Sequence, residues 1–272
     1  MSATPRTFSR NPAEWEALCD KHIAIVGLGS VGSAFALMAA RAGVGRFTLI
    51  DSEVLDAENV GRHSSTEVGA AKVDAVERLI HQVNPGAAVS IRQEDFRSRV
   101  RQGFDAQKER VSLLVGATDS FECQSLVNLV SLESGVPSLY VGCWNAATVG
   151  EIVYVIPGRT ACYQCFARFR RKKGRAGNVD PRKYTDPDFD GTKQPADGGL
   201  WANILIYCGF AFHVALALLG ASQLSSVLLD DRAPVFFVNV AQPDSLLPFW
   251  RVSKGVVDRG CGACADLQSS EH

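Results

Sequence analysis

Surplus charge is nearly absent from this chain. Its 28 lysines and arginines stand against 29 aspartates and glutamates, a net charge of -1 over 272 residues. That balance gives no global reason to expect nucleic-acid or membrane-surface binding. Residues 1–19 contain no apolar core of signal-peptide type, so export is not expected and a cytoplasmic location is. The longest apolar helix candidate, Leu200 to Leu219, is interrupted by Asn203, Cys208 and His213 and reads as a buried core helix rather than a membrane span. No internal repeat and no linker between independent domains is visible, and neither is a Ser/His/Asp triad. From Phe166 to Asn203 there is no cysteine. The eight cysteines elsewhere, in a chain without an export signal, point to a reducing compartment where thiols serve metals or chemistry. Hydrophobic content of 46% is ordinary for a globular protein, and the length allows one large domain or two small ones.

What is present centres on His22 to Asp51. The apolar run Ile23 to Val26 meets Gly27-x-Gly29-x-x-Gly32, an amphipathic segment follows, and a second apolar run ends on Asp51. This pattern predicts a strand, a tight glycine turn, a helix and a parallel strand. Gly27 permits the turn, Gly29 lets a phosphate approach the backbone, and Gly32 lets helix and strand pack closely. The helix then aims its N-terminal N–H groups at an anion. Asp51 lies 19 residues past Gly32, where an acid can accept a hydrogen bond from a ribose hydroxyl.

Residues 1–20 read as a mobile arm carrying Arg6 and Arg10 together with a short helix from Pro12 to Cys19. Helical spacing of Val73, Val76, Leu79, Ile80 and Val83 stops at Asn84-Pro85, and a strand follows at Ala87 to Ile91. After a polar, charge-mixed stretch, VSLLVGATD reads as a buried parallel strand ending on Asp119. Phe121 to Ser134 is a helix and Pro137 to Val141 a strand. The order β-α-β-α-β-α-β-α-β predicts an α/β fold with a doubly wound, Rossmann-like sheet. The strand in TVGEIVYVIPG has no helical crossover before it, so the sheet turns mixed or antiparallel in its C-terminal half. A segment from about 170 to 198, almost without apolar residues, reads as a mobile loop. Pro234 to Val240 and Leu246 to Val252 form an antiparallel pair. The chain thus divides into an arm (1–20), a nucleotide-binding half (21–147) and a partner-binding half of the same domain (148–272).

Cys162-x-x-Cys165 and Cys261-x-x-Cys264 repeat one spacing, 95 residues apart. Four thiolates from two such turns match a closed, structural zinc site, ahead of a redox dithiol or plain core cysteines. Such a site clips the C-terminal tail onto the middle of the chain.

The glycine turn alone does not decide between a dinucleotide and ATP. Asn59 and Arg62 fall just past the strand that ends on Asp51, Lys72 stands near the start of the next helix, and Asp119 ends another strand. In a doubly wound sheet all of these face one crevice. Arg62 and Lys72 would neutralise a triphosphate and Asp119 would hold magnesium. A nicotinamide cofactor needs no such set.

GLGSVGS, LIDSEVLDAENVGRH, GAAKVDA, GATDSFE and the paired Cys-x-x-Cys resemble the ThiF/MoeB/ubiquitin-activating-enzyme family, in the correct order from about residue 20 to 265. The resemblance implies ATP-dependent adenylation of the C-terminal glycine carboxylate of a ubiquitin-like or sulfur-carrier protein. It implies Asp51 on the ribose, Asn59, Arg62 and Lys72 on the phosphates, Asp119 on Mg2+, and Zn2+ on Cys162, Cys165, Cys261 and Cys264. It also implies a homodimer, with Arg10 as a candidate for an arginine lent across it, and a conjugating enzyme or sulfur donor as a further partner. Members with a covalent intermediate carry a cysteine after the first zinc pair, where this chain has none. Thr185 and Thr192 are unactivated hydroxyls there, while Cys123 and Cys143 are thiols near the crevice. The basic run Arg168, Arg170, Arg171, Lys172, Lys173 and Arg175 is either a docking patch or a solvated loop. Adenylation of a small-molecule, peptide or tRNA-base carboxylate, or an NAD-dependent oxidoreductase, are the alternatives.

Overall fold

Every residue of β1 (His22–Val26) is buried, as expected for a central strand with helices on both faces. The computed structural model describes residues 5–10, 12–144, 147–173, 199–240, 249–252 and 260–264. With β2 (Arg46–Ile50), β3 (Ala88–Arg92), β4 (Leu113–Gly116), β5 (Ser138–Trp144), β6 (Val149–Val155), β7 (Val235–Asn239) and β8 (Phe249–Val252), it makes one eight-stranded sheet in the order β3-β2-β1-β4-β5-β6-β7-β8. β1 to β5 run parallel. β6, β7 and β8 join antiparallel, so the mixed C-terminal half is as the missing crossover predicts.

Alternate strand residues go to opposite faces. Ile23, Ile25, Phe47, Leu49, Leu113 and Val115 pack under α2 (Ser30–Ala42), α3 (Lys72–Val83) and the later helix α7 (Trp201–Leu218). Ala24, Val26, Ile50, Leu114 and Val153 face α4 (Phe96–Arg101), α5 (Phe121–Ser134) and α6 (Tyr163–Lys173). α7 passes a test of length and apolar composition for a membrane span, with mean hydropathy 1.7. It lies against α2, β5 and β6, and Tyr207, Cys208, Ala211 and Val214 are fully buried there.

Two local expectations change and a third gains detail. The N-terminal arm is anchored, because a 3-10 turn (Arg6–Phe8) buries Phe8 ahead of α1 (Pro12–Leu18) while Arg6 and Arg10 stay exposed. The charge-mixed stretch before β4 contains α4, capped by the Asp95 side chain accepting from the Arg97 N–H. Residues 170–173, expected in a loop, belong to α6, which continues through Lys173; the rest of that expected loop, 174–198, with Arg175, Thr185 and Thr192, lies outside the described residues.

His22, at the start of β1, is buried with both ring nitrogens engaged, Nε2 with Thr48 Oγ1 at 2.9 Å and Nδ1 with the Glu109 carbonyl at 3.0 Å. Burial holds its pKa below the ordinary 6.5. The unfolded chain therefore binds more protons than the folded one as pH falls below 6.5, so stability drops through that window. Melting curves of wild type and His22→Gln between pH 7 and 5 check this: the variant should lose less on acidification. Parallel pH dependence would refute it.

Candidate active site and metal cluster

The strand order reverses between β1 and β4, which opens a crevice at the C-terminal ends of the parallel strands. The glycine turn sits in that crevice. Gly27 has φ +88°, and a Cβ there would lie 2.7 Å from the Ala117 carbonyl oxygen, just after β4. A Cβ on Gly32 would lie 1.9 Å from the Gly27 oxygen, so only glycine lets α2 start this close to the turn. Gly29 differs, because a Cβ there would meet nothing within 4 Å. Its backbone is thus open on that side, at the N-cap of α2, where no side-chain cap takes up the first helical N–H groups. A phosphate fits this chemistry.

Asp51 follows β2 and grips the turn. Its Oδ2 accepts from the Leu28 N–H at 2.6 Å and its Oδ1 from the Glu53 N–H at 2.8 Å. Burial pushes its carboxyl above the usual range, against the pull of those two amides and of Lys72.

Lys72 reaches the same place by a local device. The chain after Asp51 makes a short antiparallel bridge, Val54 to Ala71, with Leu55 N–H to Ala70 O at 2.8 Å and Lys72 N–H to Glu53 O at 3.0 Å. That bridge sets Lys72, the first residue of α3, beside the strand end. A cation at a helix N-terminus opposes the helix dipole, and this one is also buried. Its Nζ pairs with the exposed carboxylate of Glu53. Such a locally unfavourable placement is the kind retained where an anion is bound.

Asn59 has a task that its position in the sequence did not show. It lies in a 3-10 helix (Ala57–Arg62), and its Oδ1 accepts from the Asp56 N–H at 3.0 Å within a capping box. Its oxygen is thus committed to the local fold, and its amide Nδ2, with two N–H groups, is the part that can donate to a ligand. Arg62 ends that helix, half-buried. Asp119 is exposed between the residues that touch Gly27 and Ser120, the N-cap of α5. Gly27, Gly29, Gly32, Asp51, Lys72 and Asp119 therefore gather at one edge of the sheet.

The cysteine candidates separate clearly. Cys123, in the first turn of α5, senses Asp95, Asp51 and Asp119, but burial above all pushes its thiol up to about 12. A thiol held neutral is a poor nucleophile. Cys143 is half-buried near the end of β5, close enough to Tyr207 and Cys208 on α7 to influence both.

The thiols of Cys162, Cys165, Cys261 and Cys264 form one cluster. Cys162 and Cys165 lie 4.0 Å apart, Cys162 and Cys261 3.7 Å, and Cys165 and Cys264 3.6 Å, sulfur to sulfur. All are buried, within 4.8 Å of one another. A tetrahedron of sulfurs at about 2.3 Å from a zinc ion has edges of about 3.8 Å, so the geometry fits the metal. The Arg168 guanidinium adds a hydrogen bond to the Gly260 carbonyl at 3.2 Å, beside the tail pair.

Two residues escaped sequence reasoning. His63, immediately after Arg62, is buried and contacts the Leu28 carbonyl through Nε2 at 2.8 Å. Glu53 is the counterion of Lys72. Nothing in one sequence distinguishes these side chains from their polar neighbours.

A glycine turn at the switch point of a doubly wound sheet, with an acid gripping the turn, defines a nucleotide-binding α/β protein, and this one also carries a four-thiol cluster. The ThiF family model matches residues 8–271, and the chain belongs to the ThiF family. Among curated relatives, ubiquitin-like modifier-activating enzyme 5 of Dictyostelium discoideum is 30% identical over 203 residues, 71% of this chain and 52% of that protein. The Caenorhabditis elegans enzyme of the same name is 29% identical over 163 residues, 56% of this chain and 39% of its own. The chain thus spans about half the length, or less, of these relatives. Escherichia coli MccB, solved with ATP, superposes with TM-score 0.71 at 16% identity over 96% of this chain and 75% of its own. PaaA does so with TM-score 0.62 at 16% identity over 89% of this chain and 66% of its own. At those identities the likeness is one of fold.

Proposed function

We propose that this chain uses ATP and Mg2+ to adenylate the C-terminal glycine carboxylate of a ubiquitin-like or sulfur-carrier protein, releasing pyrophosphate. The observation that carries the reading is the meeting of the open Gly29 backbone, Asp51, buried Lys72 and exposed Asp119 at one crevice. Membership of the ThiF family and the similarity to ubiquitin-like modifier-activating enzyme 5 support it. A nicotinamide cofactor would leave Lys72 and Asp119 without a task.

A C-terminal carboxylate is already ionised near pH 7 and attacks the α-phosphorus without a general base. The chain's work is alignment and charge stabilisation. The glycine turn and the first N–H groups of α2 hold phosphate oxygens, Asp51 accepts from a ribose hydroxyl, and Asn59 donates through its amide. Arg62 and Lys72 take up charge as it spreads toward pyrophosphate. Asp119 is the carboxylate that would hold Mg2+, which neutralises and orients the phosphates. The four thiols would hold Zn2+ in a structural role, with no open position for chemistry. With Cys123 held as a neutral thiol, the activated carboxyl passes to a thiol or amine on another molecule, a conjugating enzyme or sulfur donor. The working form in this reading is a cytoplasmic homodimer.

ATP–pyrophosphate exchange tests the proposal. Exchange that requires an added glycine-terminated ubiquitin-like protein supports it. Exchange driven instead by a small carboxylate, a peptide or a tRNA assigns the same chemistry to that substrate and overturns the partner. NADH turnover without exchange overturns the whole reading.

A further inference from the structure

The backbone of Leu28, in the middle of the glycine turn, is held on both sides of its Cα. Its N–H donates to Asp51 Oδ2 at 2.6 Å, and its carbonyl meets His63 Nε2 at 2.8 Å. A carbonyl only accepts, so Nε2 carries the proton. The other ring nitrogen, Nδ1, lies 3.0 Å from the Ser65 amide nitrogen, which donates to it, and 3.2 Å from the Ser65 carbonyl. The imidazole is buried and both its nitrogens are engaged, so its orientation is fixed. The charges facing it are Lys72 and Asp51, one of each sign. A second tie runs parallel: the Ser64 N–H donates to Ser33 Oγ on α2 at 3.2 Å.

We infer that His63 is a positioning residue of the nucleotide site: it locks the Leu28–Gly29 peptide, and with it the direction of the Gly29 N–H, to the segment carrying Arg62. The physical need is specific. Glycine backbone is conformationally permissive, and N–H groups grip a phosphate well only when they are aimed before it arrives. Asp51 fixes the peptide plane that ends in the Leu28 N–H. The next plane, with the Leu28 carbonyl at one end and the Gly29 N–H at the other, is free to turn about the neighbouring backbone dihedrals. The His63 bond to that carbonyl removes the freedom. Because His63 follows Arg62 directly, the bond also sets the distance between a phosphate-gripping backbone and the guanidinium expected beside it. In its substrate this inference rests on the ATP reading, but the locking of the turn stands apart from it.

Three variants separate a lock from a space-filler. His63→Gln places an amide donor near Nε2 and keeps the bond. His63→Leu fills the volume without a donor, and His63→Asn carries its amide near Nδ1, short of Leu28. Hydrogen exchange of the peptide covering residues 27–33 in nucleotide-free protein is read first, then the KM for ATP in the exchange assay. Faster exchange of the turn in the Leu and Asn variants, with protection restored by Gln, is the expected result. With it goes a rise in ATP KM of about five- to tenfold at a smaller change in kcat, the size of one lost buried hydrogen bond. If the Leu variant does not fold, Asn against Gln gives the same comparison. Equal protection in all variants, or a Gln variant as impaired as Asn, overturns the inference. Wild type that fails to bind ATP overturns the functional reading instead, while the exchange of the turn still decides the role of His63.

Discussion

Asp119→Ala is expected to lower pyrophosphate exchange by about 10²–10³-fold or more while the protein keeps its fold. The two halves of that expectation have separate causes. Asp119 is exposed and its carboxylate caps nothing, because the N-cap of α5 is Ser120, whose oxygen accepts from the Cys123 N–H at 3.2 Å. Its only structural contribution is a negative charge near a helix N-terminus, worth about 0.3–1 kcal/mol. Its proposed chemical contribution is far larger, since losing the metal carboxylate removes charge stabilisation where charge builds up. Lys72→Ala is the companion test. Glu53 is 69% exposed, so deleting its partner leaves that carboxylate in water, and the loss of melting temperature should stay small, limited to the support Lys72 lends Asp51 beside its two amide bonds. The exchange rate should fall about 10²-fold with a raised ATP KM. Unchanged exchange in folded Asp119→Ala would remove the magnesium assignment. Unchanged exchange in both variants would reduce the crevice to a generic nucleotide fold.

Removing metal from the cysteine cluster is expected to unfold the C-terminal tail first and lower the melting temperature of the whole domain. Structural zinc contributes on the order of 10 kcal/mol to the folding of small domains. If about a third of that appears here, the melting temperature falls by about 6–12 °C for a chain of this size. Cys162 and Cys165 stand at the N-terminal end of α6, and Cys261 and Cys264 lie beyond β8. The cluster therefore joins two segments 95 residues apart in sequence. Contact with the Cys165 thiol, then burial, pushes the Cys162 thiol up to about 12, so a proton holds that thiol until a cation displaces it. Metal analysis should find one zinc per chain, and a chelator should lower the melting temperature before it lowers exchange at fixed Mg2+. Chelation that leaves the melting curve in place would eliminate the clip.

Much of the fold is legible in the residues because its signals are local. β1 and β4 are continuous apolar runs because both their faces are covered, and α3 shows helical spacing because one face meets the core. The antiparallel strands follow from the absence of a crossover before β6. The two Cys-x-x-Cys spacings announced a four-thiol site, and the sulfurs do meet. What escaped depends on partners far along the chain. The anchoring of the arm rests on a pocket for Phe8 that no neighbour of Phe8 encodes. Asn59 looked like a ligand because its type suits one, yet its oxygen closes a capping box. Cys123 looked available near the crevice, yet its burial keeps the proton on sulfur.

By itself the sequence determined the sheet's parallel half, the glycine turn, the acid after β2 and the pairing of cysteines, since each is written in the spacing of a few adjacent residues. Only the tertiary structure decided which of these groups stand together and what holds them. The bridge from Val54 to Ala71 carries Lys72 to the strand end, and the contact across 35 residues ties His63 to Leu28. The reason is that a buried charge or hydrogen bond takes its worth from the groups it meets, and those are chosen by packing rather than by nearness in the chain.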